Sequence, residues 1–259
     1  MDHVANLLNS DAFKLYQSRV DELRKVHLEA LPSSLRRFDV RFRLALGTTV
    51  QFNHDVAYTR TASTRRAYAL LHRLNDLWFS WEGLIKLCEE YGAAQPNARL
   101  LEPFCPDSPY WVSLASTNNL IDNQFNTGII SSKQRRKDAE DFISYLLKSA
   151  ATRSNLGRRL TLLKTKISAT NTGDDPFDWQ NGLALAYAIR NSHVHGCEAA
   201  HSGVRLISTK LALLDVCVLT LLQTNLNVAL ILTGAANFQE RVAVSTARST
   251  AARNSRPML

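Results

Sequence analysis

The chain contains 259 residues, 45% of them hydrophobic, which is ordinary for a soluble globular protein and enough to bury a sizeable core. Its 31 lysines and arginines outnumber its 23 aspartates and glutamates, giving a net charge of +8. This charge favours an anionic partner, nucleic acid first, although a merely solvated basic surface is the alternative explanation.

Cysteine spacing and hydropathy argue against a secreted, disulfide-bonded protein and against a membrane protein. The 4 cysteines stand far apart without a Cys-x-x-Cys pair, and the first residues lack the charged and apolar regions of a secretory signal. The longest apolar segment, residues 211–232, contains Asp215 and several amide side chains, which makes it too polar for a membrane span. We therefore expect a cytoplasmic protein with no membrane segment, in which residues 211–232 form a core helix.

The first sixty residues predict an N-terminal extension. Residues 10–28 show a loose helical pattern that ends at Pro32. From Val40 to Leu46 arginines alternate with apolar residues, which favours a short strand or an amphipathic edge element, whereas the neighbouring residues favour a helix. We assign residues 1–61 to an N-terminal helical extension and leave the choice between helix and strand open.

A long helix and an irregular segment follow. Residues 64–91 repeat apolar side chains at spacings of three and four, which predicts a helix with one buried face, closed by Gly92. Residues 92–130 place several prolines between short apolar groups, and we interpret them as an irregular insertion that forms a candidate substrate rim. At the other end of the chain, residues 241–259 are basic and predict a disordered tail with nonspecific affinity for nucleic acid.

Two further predicted helices carry clustered basic residues. Ser131 and Gln134 have the spacing of a capping box, and an apolar stripe follows them. Cations in a first helical turn oppose the helix dipole, so helix stability does not explain this cluster, whereas phosphate binding would offset its cost. The residues that we expect to bind phosphate groups on the two helices are Lys133, Arg135, Arg136, Lys137, Arg158 and Arg159.

The residues that most clearly indicate a chemical function lie at the end of an apolar stretch with a helical pattern. Arg190 and Asn191 are followed by His193, His195 and Gly196. On a regular helix His193 lies about 60° from Arg190, and His195 lies about 140° from it. Because Gly196 can adopt the left-handed conformation, we expect the helix to stop there and to release His195 from the regular spacing. The negative end of the helix dipole favours a protonated imidazole, which suits proton transfer near neutral pH.

Arg190, Asn191 and His195 resemble the signature of the HEPN superfamily (higher eukaryotes and prokaryotes nucleotide-binding domains), in which a histidine follows an arginine and a polar residue. The resemblance implies an all-α, antiparallel helical bundle over residues 62–240 that acts as a metal-independent endoribonuclease on unpaired RNA. By the same resemblance Arg190 stabilises charge on the scissile phosphate, His195 transfers protons, and Asn191 positions the phosphate or His195. The basic residues of the two preceding helices would then bind RNA.

The resemblance also implies a homodimer in which two motif helices form a composite site. It suggests a bacterial toxin or phage-defence effector, with a cognate antitoxin or a defence-system partner. Some members of the superfamily only bind nucleotides or partners, so a noncatalytic RNA-binding or protein-interaction module is one alternative. A helical scaffold with an accidental motif is another, in which Arg190 and His195 satisfy terminal carbonyl groups.

Two neighbours of the motif are candidate auxiliary residues. Tyr187 precedes Arg190 by three positions and shares its face, as a phosphate or base contact or simply as a half-buried core residue. His193 competes with His195 for the proton-transfer role. A zinc site is also conceivable here, but the spacing matches no strong zinc pattern, so we expect no metal and no other cofactor. The zinc ligand types in question are His193, His195, Cys197 and His201.

Overall fold

The structure, a computed structural model, is all-α throughout its described part. Of the described residues 88% are helical and none lies in a strand, which confirms that the predicted class, all-α, is correct for this part of the chain. The predicted insertion at 92–130 and the predicted tail at 241–259 lie outside the described residues. The described residues are 3–26, 33–53, 61–91, 132–148, 150, 154–169, 179–196 and 202–234.

These residues form a helical bundle with one hydrophobic core, to which the residues on both sides of position 61 contribute. In chain order its helices are α1 (His3–Leu8), α2 (Asp11–Val26), α3 (Ser33–Gly47), α4 (Ala62–Tyr91), α5 (Lys133–Leu147), α6 (Asn155–Ser168), α7 (Trp179–Gly196) and α8 (Ile207–Gly234).

The central helix of the bundle is α8, which packs against α2, α4 and α7. It is apolar on nearly all sides, as expected for a helix surrounded by other helices. Its most apolar stretch, with a hydropathy of 1.8, is long and apolar enough to cross a membrane, but 82% of that stretch is buried inside the protein. Such burial is typical of the core helix of a soluble protein.

The segment for which the sequence left helix and strand open is helical. Helix α3 covers it and packs along α4, burying Phe38, Phe42 and Leu46 on one side. Val40 and Leu44 face the solvent, with 44% and 58% of their surface exposed. The alternation that favoured a strand therefore came from two exposed apolar residues, because a helix buries positions three and four apart.

A buried carboxylate fastens α2 to α3. Asp39 is fully buried and accepts hydrogen bonds from Tyr16 Oη (2.7 Å), Arg24 Nη2 (2.6 Å) and Arg43 Nε (2.8 Å). Burial and the adjacent Asp39 raise the pKa of Tyr16, so its phenol stays protonated and donates. A buried charge is tolerated only with such partners, so this network fixes how the two helices meet.

Side chains also set where two helices begin. The N-cap of α5 is Ser132, whose hydroxyl accepts a hydrogen bond from the Arg135 N–H, so the predicted capping box beginning at Ser131 was wrong by one residue. Before α8, the buried Asp138 of α5 accepts hydrogen bonds from the backbone N–H groups of Arg205 (2.6 Å) and Leu206 (3.0 Å). This carboxylate anchors the start of the central helix to α5.

Candidate functional site at the C-terminal end of α7

Arg190 is held in place by a neighbour on its own helix and by a ring on α4. Its Nη1 donates a hydrogen bond to Asn191 Oδ1 (3.0 Å), and its guanidinium carbon lies 5.4 Å from the centre of the Phe79 ring. The Nε atom is buried and has no hydrogen-bond partner among the described residues. No carboxylate pairs with Arg190 among the described residues. The half-buried cation is therefore positioned without being neutralised.

The two motif histidines occupy different environments. His193 is half-buried, and its ring makes an edge contact with His72 of α4, with 6.5 Å between the ring centres. Burial lowers the pKa of His193, and the nearby charges of His72 and Lys210 lower it further. His195 is exposed in the last turn and makes no hydrogen bond to Arg190 in the described part of the chain.

Helix α7 ends at Gly196, as expected, but the expected release of His195 from the regular helical spacing was wrong. The backbone of α7 stays helical through His195 and Gly196. Among the described glycines, a left-handed backbone is found at Gly203, with φ of 72°, which precedes α8. Arg190 and His195 consequently keep their helical separation, and Arg190 lies against α4 while His195 faces the solvent.

Tyr187 lies on the same side of α7 as Arg190, as its spacing predicts. It is half-buried and packs on Trp78 of α4, with 5.1 Å between the ring centres. Trp78 in turn donates its indole N–H to Glu82 (2.9 Å). These contacts fix α7 against α4, one helical turn before the guanidinium of Arg190.

The structure brings four residues to this region that the sequence analysis did not select. His72 lies against His193, and both Phe79 and Arg41 belong to the surroundings of Arg190. The fourth, Lys210, is fully buried, with its ammonium 3.9 Å from the centre of the Phe142 ring. Only Lys210 carried a sequence signal, a cation inside an otherwise apolar segment. The others meet through packing between helices, which spacing along one helix does not reveal.

The burial of Lys210 has an electrical consequence. Its Nζ lies 3.4 Å from the backbone oxygen of Ser202, and burial lowers its pKa to about 7. Part of the population is therefore neutral near physiological pH. Cys217 of the same helix is buried as well, and burial raises the pKa of its thiol, so it remains a protonated core residue.

The predicted phosphate-binding cluster lies on two helices that pack against each other, and α6 also packs against the motif helix α7. Three of its members, Lys133, Lys137 and Arg158, are exposed, while Arg135, Arg136 and Arg159 are half-buried. The cluster thus presents cations beside the helix that carries the motif. Whether they contact RNA stays a prediction.

A cavity of about 390 Å³ lies between the end of α3 and helices α1, α4 and α8. Arg66 and Asp215 form an ion pair at its wall (2.5 Å), and burial raises the pKa of Asp215 against the influence of Arg66. Arg73 donates to the Thr48 backbone oxygen there (2.9 Å). No motif residue lines this cavity, so it is separate from the region around Arg190.

Metal ligands do not converge in the described part of the chain, where no group of three His, Cys, Asp or Glu side chains is placed to hold an ion. Cys197 and His201 of the conceivable zinc set lie outside the described residues. Comparisons with protein-family models, with curated proteins and with solved structures gave no match to this chain. The class that the fold and the site define is thus a helical bundle with an arginine–histidine motif at one helix end.

Proposed function

We propose that this chain is a metal-independent endoribonuclease of HEPN type, an antiparallel helical bundle that cleaves unpaired RNA. The observation that carries the proposal is the state of Arg190, which Asn191 and Phe79 hold at a helix end without a carboxylate partner among the described residues. A guanidinium held in this way is preorganised to donate hydrogen bonds to a phosphate. The exposed His195 five residues later supplies an imidazole that can donate or accept a proton.

In the proposed reaction the ribose 2′-oxygen attacks the adjacent phosphorus, and the bond from phosphorus to the 5′-oxygen breaks. The 2′-hydroxyl proton goes to a base and the leaving 5′-oxygen receives a proton, so the products are a 2′,3′-cyclic phosphate and a 5′-hydroxyl. Arg190 stabilises the charge that develops on the non-bridging oxygens. His195 transfers protons, and Asn191 acts by holding the guanidinium of Arg190.

His193 is the competing proton acceptor. Its lowered pKa keeps it neutral at a lower pH than an ordinary histidine, which suits a base. It is half-buried against His72, however, whereas His195 is open to a bound strand. For this reason we assign the proton transfer to His195 and treat His193 and Tyr187 as auxiliary residues.

The wider role follows from the same resemblance. We propose a cytoplasmic toxin or phage-defence nuclease that acts as a homodimer, with a cognate antitoxin or a defence-system protein as partner. The exposed cations of α5 and α6 and the net charge of +8 support a polyanionic substrate, because each phosphate contact releases bound counterions.

One observation favours a noncatalytic RNA-binding module as the second candidate. Within one chain, no hydrogen bond joins Arg190 to His195 in the described residues, and the two side chains face different surroundings. A single chain thus presents the cation of Arg190 without His195, the assigned proton-transfer residue, beside it. The binding module predicts salt-sensitive RNA binding that depends on Arg190 and is insensitive to His195.

The decisive experiment compares RNA cleavage by purified wild-type protein and by His195→Ala, in EDTA, with a labelled single strand. We expect cleavage by the wild type with cyclic phosphate ends, and a loss of at least about a hundredfold in His195→Ala and Arg190→Ala. Both substitutions lie at the surface end of α7, so circular dichroism should show unchanged folding.

His193→Ala is the matched control, because it removes an imidazole two positions away on the same helix. If His193→Ala abolished cleavage and His195→Ala did not, the assignment of the proton-transfer residue would be wrong. Loss of cleavage in EDTA would instead indicate a metal-dependent enzyme. RNA that stays intact with wild-type protein but is bound by it would favour the binding module.

A further inference from the structure

Phe79 of α4 contacts two arginines that come from two other helices. The guanidinium carbon of Arg190 lies 5.4 Å from the centre of the ring, and that of Arg41 lies 5.3 Å from it. Both distances are within the range of cation–π attraction. Helices α3, α4 and α7 therefore meet at one aromatic ring with a cation from each outer helix, an arrangement that we name the Arg41–Phe79–Arg190 cluster.

The charge of this cluster is not balanced by acidic side chains. Arg24, Arg43 and Arg66 each form an ion pair with an aspartate, whereas Arg41 and Arg190 form none with the described residues. The contrast is sharpest within α3, where Arg43 pairs with the buried Asp39 and Arg41, two residues earlier, turns to the ring instead. Two like charges that share one ring repel each other, and a bound anion would offset this repulsion.

The chemistry of a guanidinium on a ring defines the kind of anion. A guanidinium carries several N–H groups that fit the oxygens of a phosphate, and cation–π attraction to a ring does not use these groups as hydrogen-bond donors. Arg41 is exposed and Arg190 is half-buried, so the cluster is open to a ligand from solution. Two cations held near the same ring suit two phosphates of one flexible strand better than a single small anion.

We propose that Arg41 is a substrate-binding residue that holds the backbone phosphate next to the one bound by Arg190, with Phe79 keeping both guanidinium groups in place. The substrate class is single-stranded RNA, and the assignment rests on the proposed role of Arg190 in RNA cleavage. Arg41 touches the substrate away from the scissile bond. Its removal therefore weakens binding and leaves the chemical step largely unchanged.

The test measures binding and cleavage separately. Binding is followed by the fluorescence anisotropy of a short single strand with 2′-O-methyl riboses, which cannot be cleaved through its 2′-oxygen, and cleavage is followed with the matching RNA. We expect Arg41→Gln to weaken binding about three- to tenfold and to raise KM with kcat nearly unchanged. The slope of the logarithm of the binding constant against the logarithm of the salt concentration should fall by the amount expected for about one lost phosphate contact. Phe79→Leu keeps an apolar side chain without the ring and should weaken binding in the same direction.

Arg36→Gln is the control, because it removes the same charge from an exposed position of α3 that makes no contact with the ring. If Arg41→Gln binds no more weakly than Arg36→Gln, Arg41 is not a substrate-binding residue, even when the wild type cleaves RNA as proposed. If Arg41→Gln weakens binding of the uncleavable strand while the wild type cleaves nothing, the binding role holds and the nuclease proposal fails. Thermal melting of each variant separates a binding defect from a folding defect.

Discussion

The surroundings of two basic side chains, Arg190 and Lys210, affect their charges in different ways. The neighbours of the Arg190 guanidinium supply a hydrogen-bond acceptor and an aromatic ring. Lys210 is fully buried, with its ammonium against the Phe142 ring of α5, and burial lowers its pKa to about 7. The charge of Arg190 is thus left without a carboxylate partner among the described residues, whereas burial partly removes the charge of Lys210.

The buried amine makes stability depend on pH. Between its folded pKa of about 7 and its ordinary value of 10.5 the unfolded chain binds the proton of Lys210 more strongly, so this residue destabilises the fold less as the pH rises. We expect Lys210→Met to be more stable than the wild type at pH 7, with an advantage that shrinks by roughly 1–3 kcal/mol by pH 9.5. Urea unfolding of both proteins at the two pH values measures this change.

Lys86→Met is the control, because Lys86 is exposed on α4 and should give a difference that does not vary with pH. Parallel stability curves for the wild type and Lys210→Met would contradict the lowered pKa. Lys210 also lowers the pKa of His193, so the variant should raise that pKa, which NMR titration of the imidazole can follow.

For single residues, the sequence could predict their positions around one helix but not their contacts with residues of other helices. The positions of Arg190, His193 and His195 around one helix follow from 3.6 residues per turn, and the structure keeps them. The partners His72, Phe79 and Arg41 come from other helices, and their identity depends on how α3 and α4 pack on α7. A residue pair far apart in sequence leaves no periodic signal, so these contacts were not predictable from one chain.

Among the helices, those with a single apolar face were predicted well. The stripes of α4, α5 and α6 bury the residues that their spacing selects, and α8 is the core helix expected from its apolar composition. Helix α3 was left undecided, since Val40 and Leu44 are apolar yet exposed. Sequence patterns assume that apolar residues are buried, and this assumption fails at these two positions.

The anchor between α5 and α8 gives a test at the level of helices. Asp138 is fully buried and satisfies two backbone N–H groups just before α8 begins. We expect Asp138→Ala to lower the free energy of unfolding by about 2–4 kcal/mol, because two backbone N–H groups lose their acceptor and the substitution leaves a cavity at a fully buried position. Urea denaturation measures the loss, and hydrogen exchange should show faster opening at the start of α8.

The exposed Asp141 of the same helix provides the comparison, and Asp141→Ala should change stability by no more than about 0.5 kcal/mol. Asp138→Asn keeps one acceptor oxygen and should fall between the two. Equal stabilities for Asp138→Ala and Asp141→Ala would show that the carboxylate does not anchor α8.

For the whole molecule, the separation of Arg190 from His195 is the main constraint on function. The two residues stay about 140° apart on a regular helix, and α7 remains helical through Gly196. One chain therefore presents the cation toward α4 and the imidazole toward the solvent. A second copy related by a two-fold axis would bring its own motif helix to the same place, so that one shared site contains both groups.

Mixing two inactive variants tests this shared site. Arg190→Ala and His195→Ala should each lack cleavage alone, but a heterodimer retains one intact arginine and one intact histidine from different chains. If each site takes its arginine from one chain and its histidine from the other, random pairing makes half of the dimers mixed, each with one working site. The mixture should then recover about a quarter of the wild-type activity. Differently tagged chains, coexpressed and purified through both tags, isolate the heterodimer for this measurement. A purified heterodimer as inactive as its parents would contradict a site that takes its arginine from one chain and its histidine from the other.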